Sequence, residues 1–63
     1  MKTHNKMKPE FKVNNFVKHT ETGEVYKIIE VTEGKHQFFY KLETDEGITI
    51  ETLYSESVLE IND

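Results

Sequence analysis

The chain offers few side chains with the chemistry of a catalyst. Ser55 and Ser57 are its only serines, and no histidine stands near them in sequence. No Gly-x-Ser-x-Gly frame surrounds either one, so the elbow that exposes a nucleophilic serine is missing. A triad also needs an oriented base and an oxyanion site. The two serines are expected to shape a turn. Asp45 and Glu46 form a carboxylate pair, but they stand beside Gly47 at what reads as a hairpin tip. A solvated tip offers no burial to shift a carboxyl pKa toward acid–base work. His4, His19 and His36 lack metal-ligand spacing, and the sequence contains no cysteine to support them. They are expected to be surface histidines. No glycine loop of the phosphate-cradling kind is present. The residues point to neither catalysis nor a metal or other cofactor.

Recognition is better supplied. Phe39, Lys41, Tyr26 and Tyr54 are the candidate partner-binding residues. Phe38, Tyr40 and Leu42 alternate with Phe39, Lys41 and Glu43, so an inward first set turns Phe39 outward. An exposed aromatic rimmed by lysines and acids suits a protein interface. The competing expectation is that Phe39 covers a barrel end or packs under the preceding segment through Phe11. The same aromatics beside Lys27, Lys35 and Lys41 could stack nucleic-acid bases.

Charge weighs against nucleic acid. The 63 residues carry eight lysines, no arginine and twelve acids, a net charge of -4. Residues 1–19 hold five lysines against Glu10, a balance of +4, while residues 20–63 hold three lysines against eleven acids, a balance of -8. The acidic part repels phosphate, and only the basic N-terminal part could grip it. A third expectation follows from Glu21, Glu24, Glu30, Glu33, Glu43, Glu51, Glu56 and Glu60: an acidic stripe acting as an inhibitor or DNA mimic. A net charge of -4 is modest for that role, and lysines interrupt the acids.

The elements that must position these residues are strands. Seven threonines, five valines and five isoleucines favour strand, and alanine is absent. Gly23, Gly34 and Gly47 punctuate the chain as turn signals. Five strands are expected, over 15–19, 24–33, 37–44, 48–52 and 58–61. A β-bulge or a sharp bend is expected at Ile28-Ile29, where alternation fails. Leu53 to Ser57 reads as one tight turn before the last strand. The expected core is Phe16 or Val17, Val25 or Tyr26, Ile28, Val31, Phe38, Tyr40, Leu42, Ile48, Ile50, Leu53, Leu59 and Ile61. Five strands in so short a chain would expose sheet edges unless the sheet curls, so a small, partly open all-β barrel is expected over 11–63. Residues 1–10 carry Met1 and Met7 as their only large apolar side chains and read as a flexible basic tail. No run approaches a membrane-spanning length, and no apolar leader precedes the domain. These features suggest a monomeric cytoplasmic protein that does not engage a membrane.

The order of elements over residues 11–61 resembles the Src-homology-3-like barrels, a broad group that includes KOW, Tudor and PWWP modules and many small bacterial and phage proteins. The resemblance lies in Phe11-Lys12-Val13 leading into Phe16-Val17-Lys18-His19, then Thr22-Gly23-Glu24-Val25-Tyr26-Lys27-Ile28. Tyr40-Lys41-Leu42, Gly47 and Glu56-Ser57-Val58-Leu59 complete it. Where many such barrels carry Gly-Asp, this chain has Asn14-Asn15, and asparagine tolerates the left-handed geometry. The resemblance implies a fold and transfers no function, because such folds host many activities. The tryptophan of the proline-peptide binders is absent, and KOW modules are usually more basic. The combined expectation is a non-enzymatic accessory or adaptor protein of a bacterium or phage that binds another protein, with nucleic-acid binding and acidic mimicry as alternatives.

Overall fold

Alternation decides which side of each strand turns inward. The structure, a computed structural model, describes residues 8–62. It contains β1 (Phe16–His19), β2 (Val25–Glu33), β3 (Phe38–Glu43), β4 (Thr49–Ser55), a 3-10 turn (Glu56–Val58) and β5 (Leu59–Ile61). On β3, Phe38, Tyr40 and Leu42 are buried, while Phe39, Lys41 and Glu43 are half-buried on the other face. On β2, Ile28 is buried opposite Leu42, and Val31 lies opposite Tyr40. The pairing passes from Ile28↔Leu42 to Glu30↔Lys41, which leaves Ile29 as the extra residue of a β-bulge. That single insertion returns Val31 to the inner face, as the adjacent isoleucines led us to expect.

All neighbouring strands are antiparallel, in the order β4-β3-β2-β1-β5. The chain leaves β4 through the 3-10 turn and crosses to pair β5 with β1, in the register Val17↔Ile61 and His19↔Leu59. The protein is therefore all-β, with one five-stranded sheet that stays open between β4 and β5, in keeping with a partly open barrel. The expected tail over 1–10 falls, for residues 1–7, outside the described residues. Its last residue, Glu10, donates its backbone N–H to Glu56 Oε2 at 2.9 Å.

Phe11, Val17, Ile28, Phe38, Tyr40, Leu42 and Leu59 form the core, with Tyr26, Val31, Ile50, Tyr54 and Val58 packed against it. Val17 rather than Phe16, and Tyr26 rather than Val25, face inward. Three expected core residues are instead exposed: Ile48, Leu53 and Ile61. Ile48 belongs to the hairpin before β4, where its carbonyl accepts the Thr44 N–H. Ile61 ends a three-residue edge strand, beyond the reach of the core. Leu53 was expected in a turn, but β4 continues through Ser55. The pairing jumps from Lys41↔Leu53 to Leu42↔Ile50, so Glu51 and Thr52 are surplus to the ladder. Two surplus residues preserve the period, which keeps Ile50 and Tyr54 inward and turns Leu53 out. Phe11 fills the core instead.

The turn ahead of β1 carries the expected asparagine geometry. Asn15 N–H bonds to the Lys12 carbonyl at 3.0 Å, and Asn14 takes a φ of +80°. That is the third position of a turn whose type II form requires positive φ. Lys12 N–H also bonds to Asn15 Oδ1 at 2.9 Å. Gly34 is different from a turn glycine of positive φ. A Cβ there would stand 2.7 Å from Phe39 Cε2 and 2.8 Å from the Gln37 carbonyl oxygen. Gly34 is needed for close approach rather than for backbone conformation.

Candidate functional site

The register separates the four candidate binding residues into two pairs. Phe39 and Lys41 share the outer face of β3, whereas Tyr26 on β2 and Tyr54 on β4 are packed against the core on the inner face. Phe39 is half-buried because its ring lies on the Gly34 backbone. The expected outward direction is therefore correct, and the expected free exposure is not. Lys41 Nζ is 3.6 Å from Glu30 Oε1, its cross-strand neighbour. With Glu30 exposed and Lys41 half-buried, the pair contributes about 0–1 kcal/mol. Leu53, opposite Lys41 on β4, is exposed on the same face.

Tyr54 lies half-buried in a strand rather than in the expected turn, since β4 carries it opposite Tyr40. The His19 ring meets Tyr54 edge-on, with centroids 5.6 Å apart. His19 Nδ1 accepts the Glu21 N–H at 3.2 Å, so the tip of β1 holds this ring in place. Tyr26 pairs with Val17 across the sheet. Burial raises the pKa of Tyr26, and the charges of Glu24 and Tyr54 raise it further. No single surface gathers all four residues.

A buried phenol organises the other end of the core. The Tyr40 hydroxyl donates to Glu56 Oε2 at 2.5 Å and accepts the Phe11 N–H at 3.3 Å. The rings of Phe11 and Tyr40 meet at 63° with centroids 5.3 Å apart. Burial pushes the Tyr40 pKa up to about 12, with the hydrogen bond to Glu56 the next cause. A phenol that holds its proton so firmly acts as a donor, not as a base or nucleophile. Here it latches residues 10 and 11 onto the 3-10 turn. Sequence reasoning missed this latch, which joins positions far apart along the chain.

Several other chemistry-bearing residues are engaged in the same structural way. The Ser55 and Ser57 hydroxyl oxygens lie 2.9 Å apart across the start of the 3-10 turn. Glu30 and Glu60 pair with Lys41 and Lys18, and Glu56 accepts from the Tyr40 hydroxyl. Among the described residues no three His, Cys, Asp or Glu side chains converge as a metal site. No described helix is long and apolar enough to cross a membrane.

An open cleft of ≈ 680 Å³ lies where β1 and β2 begin and the β3–β4 hairpin turns. Phe16, Val25, Lys27, Glu24, Glu43 and Asp45 line it, together with Tyr26 from the candidate set. Phe16 is 52% exposed and Val25 41%. The pairings Phe16↔Lys27 and Lys18↔Val25 make these two apolar residues diagonal neighbours on one face. The sequence did hold a signal. Phe16 and Val25 were each half of an either-or pair for the core, and settling Val17 and Tyr26 inward obliges both to turn out. The sequence matches no protein-family model and no curated protein.

Proposed function

We propose that the protein is a small non-catalytic module that acts by binding another protein through the outer face of its sheet. The observation that carries this reading is the adjacent pair Phe16 and Val25, exposed side by side at a cleft. Contiguous exposed apolar groups rimmed by polar ones mark interaction surfaces, whereas scattered single ones do not. Phe39, Lys41 and the exposed Leu53 extend the same reading along β3 and β4. Tyr26 contributes at the cleft, while Tyr54 supports the inner face. We further propose membership of the Src-homology-3-like group, on the five-stranded order with one 3-10 turn before the last strand. A monomeric cytoplasmic protein of a bacterium or phage is the setting that size, composition and resemblance favour.

The test is capture from a bacterial extract by the immobilised full chain, with and without nuclease, read by mass spectrometry. A protein retained after nuclease treatment is the expected outcome. Capture that disappears with nuclease would replace this reading with nucleic-acid binding, whose affinity should fall steeply with salt.

A further inference from the structure

We infer that the cleft beside Phe16 and Val25 receives a basic peptide segment of a partner protein. An apolar side chain lies against Phe16 and Val25, and lysine or arginine side chains reach Glu24, Glu43 and Asp45. This inference rests on the protein-binding reading above and adds the chemistry of the partner.

The charge around the cleft is lopsided and unspent. Three carboxylates, Glu24, Glu43 and Asp45, face one cation, Lys27. Lys27 and Glu43 are cross-strand partners in register, yet they do not form an ion pair. The ion pairs among the described residues are Lys18–Glu60 and Lys41–Glu30, and neither involves a carboxylate of the cleft. None of the three carboxylates accepts a side-chain hydrogen bond among the described residues. The cleft therefore presents three carboxylates against a single lysine beside an apolar pair. Its volume of ≈ 680 Å³ lies in the range of clefts that bind small ligands, about 300–1,000 Å³.

The two components do different work. Apolar contact with Phe16 and Val25 supplies affinity, and the carboxylates select the sign of the partner's charge. Phosphate is repelled by three acids. A purely apolar segment would strip water from the carboxylates without replacing it. A cationic side chain replaces that water with charge-assisted hydrogen bonds while its methylene stem covers the apolar pair. Residues 20–63 of a second copy, with a balance of -8, make a poorer occupant, and its residues 1–19, with a balance of +4, are what the dimer outcome of the test reads.

The test titrates the ¹⁵N-labelled full chain with two end-capped peptides, Lys-Leu-Lys-Val-Lys and Glu-Leu-Glu-Val-Glu. The basic peptide is expected to move the amide signals of Phe16, of residues 24–27 and of residues 43–47, and the acidic one to move none. The triple variant E24Q/E43Q/D45N is expected to weaken basic-peptide binding about tenfold while keeping the circular dichroism of the parent. Phe16→Ser should weaken both the basic peptide and any captured protein. Shifts centred on Phe39 and Leu53, equal binding of the acidic peptide, or no shifts at millimolar peptide would overturn the inference. Concentration-dependent dimers lost in the triple variant would overturn it too, by giving the cleft to a second copy. Failure here is separable from failure of the broader reading. Nuclease-resistant capture that survives the triple variant keeps the protein-binding role and moves it off the cleft. Peptide binding at the cleft with no captured protein does the reverse.

Discussion

Tyr40 shows how one hydroxyl can hold a small domain together. It is fully buried at the middle of β3, and burying an unpaired hydroxyl is costly. Both of its hydrogen bonds reach distant parts of the chain, Phe11 and Glu56. Tyr40→Phe removes the hydroxyl, leaves the Phe11 N–H without its acceptor and takes a donor from Glu56. It should destabilise the fold by about 1–3 kcal/mol, read as a lower urea midpoint with an unchanged slope. The pH dependence carries a sign. The folded pKa of about 12 lies above the ordinary 10.0, so the folded state favours the neutral phenol. Its contribution is fully present below pH 10 and is lost as pH rises toward 12. A shift of that size amounts to at most about 2–3 kcal/mol. Urea curves at increasing alkaline pH should therefore bring the parent down toward Tyr40→Phe, and a constant gap between them would contradict the latch. Alternation within Phe38–Glu43 was enough to place Tyr40 inward. Its hydroxyl partners were not legible, because nothing local in sequence ties residues 11, 40 and 56.

At the scale of elements, turns and bulges decide what each strand presents. Asn14 sits at φ +80°, where a side chain with a Cβ is strained and asparagine is better tolerated than most. Thermal melts should rank Asn14→Gly at or above the parent and Asn14→Ala below it, by about 1 kcal/mol. Equal losses in both variants would mean that the asparagine side chain, not the backbone, holds the turn. Gly34 makes a different demand. Gly34→Ala drives a methyl into Phe39 Cε2 and the Gln37 carbonyl oxygen, and should cost about 1–3 kcal/mol. Adding Phe39→Ala should return part of that loss, since the ring can be removed and the carbonyl cannot. Strict additivity of the two changes would show that they do not touch. The bulge at Ile29 was legible because one surplus residue disturbs the period of the sequence. The surplus pair Glu51-Thr52 was not, because two residues leave the period intact while moving the strand end. This is why Leu53 to Ser57 reads as a turn in the sequence although β4 runs on through Ser55. The cleft was hidden for a related reason. It depends on which of two adjacent residues faces in, at Phe16-Val17 and at Val25-Tyr26, and each pair alone reads equally well either way.

For the molecule as a whole, the open sheet makes the last strand decisive. β1 lies between β2 and β5, so the chain's final strand guards one edge of a strand near its beginning. β5 contributes only three residues, but Leu59 belongs to the buried core and the strand shares three register pairs with β1. A 63-residue domain has a margin of roughly 3–9 kcal/mol. Loss of a buried leucine alone costs about 2–5 kcal/mol, before the backbone bonds to β1 are counted. A chain ending at Val58 should therefore lose its cooperative melt and its strand circular dichroism at 25 °C. Glu60→Gln, which breaks the exposed Lys18–Glu60 contact at 3.7 Å, should shift stability by less than about 1 kcal/mol. If the truncated chain still melts cooperatively, the core around Tyr40 is self-sufficient and β5 only covers an edge. If Glu60→Gln is as damaging as the truncation, surface charge rather than the Leu59 anchor joins β5 to β1. Unfolding of the truncated chain beside a stable Glu60→Gln variant would place the closure of the domain in one buried leucine and the backbone ladder it brings to β1.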